Sequence, residues 1–259
     1  MSKINILALS GSPKPQSYTH HMLELFLEPL QESAEVSLFI PRKMNIGPCV
    51  GCFHCWDKKT PGQCLQKDDF EQILEAYKVC DLIVLAAPLY VFGFPATLKN
   101  VLDRFFITLE PDQIPLESGV TTHPNRFQRD RKAVLISSCG FPEIENFDLL
   151  REHFRLICKH IGWENSGEVL LPAAGAFGNT PLAKIKEGHI RAAGEDFSAS
   201  GRVSETTLEQ VAGAPFSHEE YRKIVNWNFK GGLVGKGKMM ALMTKITIRA
   251  KKEAQGKDK

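Results

Sequence analysis

A chain of 259 residues, 43% of them hydrophobic, is long enough to bury the core of one α/β domain with additions. Its 32 basic and 30 acidic residues leave a formal charge of +2, which gives no support for nucleic acid or a membrane surface as partner of the body of the protein. No apolar run approaches the ~18 residues of a membrane span, and the first residues carry no basic segment followed by an apolar stretch and a cleavage site. Seven cysteines are too few for a disulfide scaffold of this length. A reducing cytoplasm is therefore the expected setting, where clustered thiols point to metal or redox chemistry.

In chain order, the apolar run 4–10 reads as a buried strand, and 17–30 as a helix whose apolar face carries Met22, Leu23, Phe26 and Leu30. A strand over 35–40 precedes an irregular cysteine-bearing segment, 41–67. Asp68 and Asp69 suit the first turn of a helix reaching about Tyr77. A third strand is expected over 81–86, a helix over 95–106, a fourth strand over 132–138, a helix over 147–161 and a short fifth strand over 169–171. The polar segment 110–131 has the length of a lid or a subunit contact. Alternating strands and helices give a doubly wound parallel sheet, covered on both faces, with ligands at the carboxyl ends of its strands. We divide the chain into 1–171, carrying that sheet, and a helical extension, 172–259. Helices are expected there over 182–194, 204–212 and 217–229. The Gly231-Gly232 pair and Gly235 with Gly237 break the pattern before a Met-rich basic helix over 238–253.

Three loops fall on the ligand-binding rim. In the first, a strand runs into Ser10-Gly11-Ser12-Pro13, and Ser17-Tyr18-Thr19 opens a helix. Free backbone N–H groups and the helix dipole favour an anion there, and the hydroxyls add donors. The loop has neither the lysine-containing pattern of a nucleotide triphosphatase nor the three-glycine fingerprint of a dinucleotide site. It suits a monophosphate such as that of a flavin mononucleotide, the plainer alternative being a serine-capped turn. The second loop, Pro88-Leu89-Tyr90-Val91-Phe92-Gly93, sets aromatics among aliphatics at a strand end, where they can pack on a flat ring or simply on a neighbouring element. The third, Ser137-Ser138-Cys139-Gly140-Phe141-Pro142, leaves room for a flat ligand.

Together these segments, SGSPKPQSYT, APLYVFGFPATLKNVLDR and SSCGFPE, resemble the flavodoxin-like NAD(P)H-dependent FMN reductase family, including its iron–sulfur flavoprotein branch, over residues 3–171. The resemblance implies an α/β, flavodoxin-like, doubly wound five-stranded parallel sheet of order 2-1-3-4-5, FMN as cofactor and NAD(P)H as co-substrate. By the same resemblance Ser10, Ser12, Ser17, Tyr18 and Thr19 would hold the FMN phosphate. Pro88, Leu89, Tyr90, Val91, Phe92 and Gly93 would contact the isoalloxazine, and Ser138, Cys139, Gly140 and Phe141 would close its third side. No side chain is assigned as a catalytic acid or base. Lys99, Asp103 and Arg104 read as helix-packing and ion-pair residues.

Cys49, Cys52 and Cys55 follow a C-x2-C-x2-C spacing, with Cys64 after eight intervening residues. The set resembles ferredoxin-type ligation of a 4Fe–4S cluster and the cysteine motif of the iron–sulfur branch, but its last gap is longer than that branch usually shows. Four-cysteine zinc and free thiols are the other readings, and free thiols are the expectation taken here. Cys80, Cys139 and Cys158 read as small buried side chains, Cys139 being the one on the proposed rim. The chain is thus expected to be an FMN-dependent oxidoreductase passing electrons from NAD(P)H to a quinone, a nitro or azo compound, flavin or a protein. The alternative is an electron carrier serving a ferredoxin-type partner. A homodimer or homotetramer built partly through the extension is expected.

Overall fold

The computed structural model describes residues 3–177 and 181–257. Five parallel strands form the central sheet: β1 (Ile4–Ser10), β2 (Ala34–Phe39), β3 (Leu82–Pro88) and, after a two-residue hairpin of β4 (Ile114–Pro115) and β5 (Thr121–Thr122), β6 (Arg131–Ser138) and β7 (Trp163–Leu171). Their spatial order is β2-β1-β3-β6-β7, the expected 2-1-3-4-5 when only sheet strands are counted. Direction of winding reverses between β1 and β3, so the crevice outside the carboxyl ends of these strands is the natural ligand site.

Strand alternation divides the core. On one face Ile6, Ala8, Val84 and Ile136 pack with α1 (Tyr18–Leu27). On the other Leu7, Leu9, Leu85 and Leu135 meet α2 (Phe70–Val79), α3 (Ala96–Arg104) and α4 (Asp148–Ile161). Every second side chain points to the same face, and helices bury both faces, so the strands read as continuous apolar runs. Pro29 turns the end of the expected first helix into one turn of 3₁₀ helix, Glu28–Leu30, because its ring cannot sit in a helix interior.

The last strand is longer than its apolar segment. It begins at Trp163, six residues before the expected start, and pairs with β6 through polar Glu164 and Asn165. As an edge strand it tolerates these residues, and the Glu168 carboxylate is neutralised in place by Arg151 and Arg155, each at 2.8 Å, and accepts a hydrogen bond from Asn165 Nδ2. Burial works against that carboxylate, but these donors outweigh it and hold it below its usual range.

Beyond β7, α5 (Pro181–Ser200) lies along α1, and its Ile190, Ala193 and Phe197 belong to the same core cluster as Phe26. The helix runs on through Gly194, where a side chain would strike the carbonyl of Phe26; glycine here permits close approach of two helices. α6 (Glu205–Ala212) packs on β7, and α7 (His218–Lys230) and α8 (Gly232–Lys257) form a helical pair. Gly231 and Gly232 do break the pattern, Gly231 capping the end of α7 and Gly232 opening α8 at φ 52°, but Gly235 and Gly237 do not: α8 passes through both, and the missing side chain of Gly235 admits the Trp227 carbonyl of α7. Among the described residues no helix is long and apolar enough to cross a membrane.

Candidate functional site

The three loops meet at the carboxyl ends of β1, β3 and β6. Gly11 N donates to Ala86 O at 2.7 Å, and Thr97 Oγ1, from the start of α3, donates to Gly11 O at 2.9 Å. Ser17 caps α1 in an extended conformation, but its side chain makes no capping bond. The first intrahelical bond there is His21 N to Ser17 O, so among the described residues the preceding amides of the first turn have no acceptor and the Ser17 hydroxyl no partner, which leaves them for an anion. Among the described residues Ser12 Oγ accepts only a long bond, from Lys14 N at 3.3 Å. Ser10 and Thr19 are differently employed: Ser10 Oγ is 2.8 Å from His20 Nδ1, and Thr19 Oγ1 is 2.6 Å from Ser138 Oγ. These two residues brace the loop from below. Tyr18 packs against the core with its ring edge toward His21. Its hydroxyl is buried without a partner among the described residues, and burial with the nearby Glu187 charge pushes its pKa up to about 12.

The second loop is a strained turn. Leu89 N donates to Ser138 O at 2.9 Å, and Tyr90 and Gly93 exchange backbone hydrogen bonds at 3.1 and 3.0 Å. The two residues between them take left-handed conformations, φ 47° at Val91 and 62° at Phe92. Neither is glycine, and a β-branched residue there is an outlier, costing about 1–3 kcal/mol. Such strain gathers at ligand clamps, where surrounding structure over-determines the backbone. Val91 is 96% exposed, with Tyr90 and Phe92 also facing outward. Gly93 has a negative φ, so the conformation that glycine would relieve falls on its neighbours. Only the folded turn shows this, since the stretch has no Asn-Gly or Asp-Gly signal.

In the third loop every carbonyl from Cys139 to Phe141 is occupied. Ala174 N donates to Cys139 O (2.9 Å), Ala173 N to Phe141 O (2.7 Å), and Tyr221 Oη of α7 to Gly140 O (2.6 Å). The N–H groups of Gly140 and Phe141 have no acceptor among the described residues. The loop thus offers amides. Cys139 is buried, its Sγ donating to Phe141 O, and burial pushes its thiol up, so it is protected from reaction. Tyr221 lies outside every motif and was not legible as part of this rim. Cys80 and Cys158 are buried as expected, their pKa values pushed by burial to about 11 and about 12.

Cys49, Cys52, Cys55 and Cys64 line one small pocket, the first two exposed and the others partly buried. Helix α3, which follows the second loop, staples the segment. Asn100 Nδ2 donates to Ile46 O at 2.7 Å, and Arg104 to Gly47 O at 2.8 Å. Arg104 is 3% exposed, lies over the Phe70 ring, and reaches both Asp68, 2.8 Å away, and Cys64 Sγ, at 3.2 Å. Burial opposes the Asp68 carboxylate, but Arg104 and the amides of Gly47 and Phe70 outweigh it and hold it below the usual range. Burial raises the Cys55 thiol, and the neighbouring thiols of Cys64, Cys49 and Cys52 add to that rise. Trp56 stacks on Phe106 at 4.4 Å and donates to Leu109 O. Among the described residues no group of three or more His, Cys, Asp or Glu side chains is arranged to hold a metal ion. Lys99 and Asp103 form the expected exposed pair; Arg104 is the buried one that holds the cysteine segment.

The sequence profile of a family described as NADPH-dependent FMN reductase matches residues 4–142, more than half of the chain. An iron-sulfur flavoprotein of Methanocaldococcus jannaschii is 33% identical over 102 residues, 39% of this chain and 51% of that protein. An FMN-dependent NADH:quinone oxidoreductase of Mycoplasma genitalium is 28% identical over 143 residues, 55% of this chain and 70% of that protein. The chain spans about half the length of most of the curated relatives it matches. Among solved structures, an FMN-dependent NADH-azoreductase from Bacillus anthracis in complex with FMN superposes with a TM-score of 0.56 at 17% identity, over 76% of this chain and 99% of that one. An NAD(P)H:quinone oxidoreductase from Methanothermobacter marburgensis gives 0.54 at 19% identity, over 76% and 100%. At such identities these superpositions establish the flavodoxin-like fold.

Proposed function

The chain belongs to the NADPH-dependent FMN reductase family, and from that premise we propose that it binds one FMN non-covalently and moves electrons from NAD(P)H to an acceptor. The observation that carries this reading is the meeting of three loops at the switch point, one offering free first-turn amides, one strained and one presenting unpartnered amides. Ser12, Ser17 and the amides opening α1 would take the phosphate, with Ser10, Tyr18 and Thr19 supporting them. The backbone of Pro88, Leu89 and Gly93 and the side chains of Tyr90, Val91 and Phe92 would frame the ring. Ser138, Cys139, Gly140 and Phe141 would close its far side, the last two through their N–H groups. When bound, FMN supplies two-electron transfer; this chain's residues bind, orient and shield, and none need act as acid or base. Quinones, nitro and azo compounds, free flavin and a protein are the acceptors this site suits.

A single anion pocket favours FMN over a dinucleotide flavin. Protein purified without added flavin and extracted by heat should release about one FMN per chain and oxidise NADH or NADPH when a quinone is supplied. Stoichiometric FAD in the extract, or no flavin and no uptake of added FMN, overturns the reading.

The cysteine segment carries a second reading. Free thiols remain our expectation, given the long gap before Cys64. The lining of one pocket by Cys49, Cys52, Cys55 and Cys64 raises one alternative, a 4Fe–4S cluster on these four, although among the described residues no three of these thiols are arranged to hold a metal ion. The chain would then also serve as an electron carrier for a ferredoxin-type partner. Iron and acid-labile sulfide in anaerobically purified protein decide between the two: about four of each per chain, lost together in Cys52→Ser, establish the cluster. We further propose a cytoplasmic homodimer or homotetramer in which segment 110–131 and the helical extension 172–259 contribute contacts. Sedimentation as a monomer at micromolar concentration would sink that part.

A further inference from the structure

The region matched by the family ends at residue 142, yet the third loop of the rim is fastened from outside it, by α7. Tyr221 is 4% exposed, and its ring stacks on Phe216 at 5.5 Å. One residue on, Arg222 Nη1 reaches Glu143 Oε1 at 3.3 Å, and His218 Nδ1 lies 3.5 Å from the same oxygen. The start of α7 is itself fixed. Ser217 and Glu220 form a reciprocal capping box, and Arg249 of α8 holds the Glu220 carboxylate at 3.0 Å.

The peptide joining Gly140 to Phe141 is planar and trans, so its C=O and N–H point in opposite directions. The Tyr221 hydroxyl draws the Gly140 carbonyl toward α7. The Phe141 N–H must then point away from α7. With glycine on one side this peptide would otherwise rotate at little cost, since glycine populates both signs of φ. Burial, with smaller contributions from Cys139 and Glu143, pushes the Tyr221 phenol up to about 12, so it stays a proton donor across the working range.

We infer that Tyr221 is a positioning residue: its bond to Gly140 O fixes the Gly140–Phe141 peptide so that the Phe141 N–H is presented to the polar edge of the flavin ring. The inference rests on the proposal that this rim binds FMN. It makes the extension part of the cofactor site, acting through the ring and independently of the phosphate.

The test is Tyr221→Phe in the full chain, which keeps the ring stack and removes only the hydroxyl. FMN and riboflavin are titrated into flavin-free protein, with thermal unfolding measured alongside. We expect both flavins to bind about 3- to 10-fold more weakly, the range of one hydrogen bond's net contribution, alongside a modest fall in the unfolding midpoint of flavin-free protein. The flavin midpoint potential should also shift. Ser17→Ala, by contrast, should weaken FMN and leave riboflavin unaffected. Unchanged affinity for both flavins in Tyr221→Phe overturns the inference, as does a loss confined to FMN. So does a lowered unfolding midpoint without loss of affinity, which marks a merely structural contact. Wild-type protein that binds neither flavin overturns the functional reading first, and this inference with it.

Discussion

Thr19 Oγ1 and Ser138 Oγ lie 2.6 Å apart, both buried, and so join the first and third loops of the rim across 119 residues of sequence. Removing one hydroxyl leaves the other without a partner. Thr19→Val keeps the shape and should destabilise the fold by about 1–3 kcal/mol, the cost of an unsatisfied buried hydroxyl. Urea unfolding of flavin-free protein measures this directly. Thr19→Ser, which retains the bond, should lose much less.

The phosphate end should respond to charge. Ser12→Asp places a carboxylate beside the free amides of α1, where it would compete with the phosphate and repel it. We expect the variant to be purified without flavin and to take up added FMN at least tenfold more weakly, or about 1.4 kcal/mol. Circular dichroism confirms that it is folded, and full flavin retention in the folded variant would count against this placement.

Strain in the second loop can be separated from its packing. Val91 is almost fully exposed at φ 47°, so little but the backbone conformation changes on substitution. Asparagine tolerates the left-handed region through local hydrogen bonds. Val91→Asn should raise the stability of flavin-free protein by about 1 kcal/mol, measured by chemical denaturation. A loss of stability would show that the turn takes another conformation in solution.

Arg104 should be the costliest single removal. Arg104→Met leaves the Asp68 carboxylate buried without its cation and should cost about 3–5 kcal/mol, as when one partner of a buried pair is lost. The double change with Asp68→Asn should recover part of that loss. Alkylation of Cys64, followed by mass spectrometry, should become faster in Arg104→Met because the segment loses its staple.

Acid should act through the same pair. The Asp68 pKa is lowered in the folded protein, so the stability it contributes is fully present above the unfolded carboxylate value, about 3.9, and is lost as pH falls below that toward the folded value. Glu168, lowered by Arg151 and Arg155, adds to the same window. The difference in melting temperature between wild type and Asp68→Asn should therefore be constant from pH 7 down to about pH 5 and shrink below about pH 4. A difference that shrinks between pH 6 and 7 would assign it to another group.

What the sequence by itself determined was the sheet and the location of the rim. Runs such as Leu7–Leu9 and Leu82–Leu85 are apolar on both sides because both faces are buried, and the small, hydroxyl-rich turn after Ser10 announces a helix opening on an anion. These are local signals, set by a strand's period and by the unpaired amides of one helix start. The polar start of β7 was hidden because its partners, Arg151 and Arg155, come from a neighbouring helix that pairs with it only after folding. Gly231 breaks the helix as its local propensity says, but Gly235 reads as a breaker only because its effect on a lone helix is unfavourable, whereas here it lets α8 close on the Trp227 carbonyl of α7. The same distinction divides the site. The residues of the three loops were legible because each follows a strand end, but which hydroxyls brace and which stay free depends on His20 and Ser138 arriving from other elements. Arg104 and Tyr221 gain their roles only through contacts 40 and 81 residues away in sequence, with Cys64 and Gly140. Burial and directional hydrogen bonding at that range belong to the packed chain, and no local pattern encodes them.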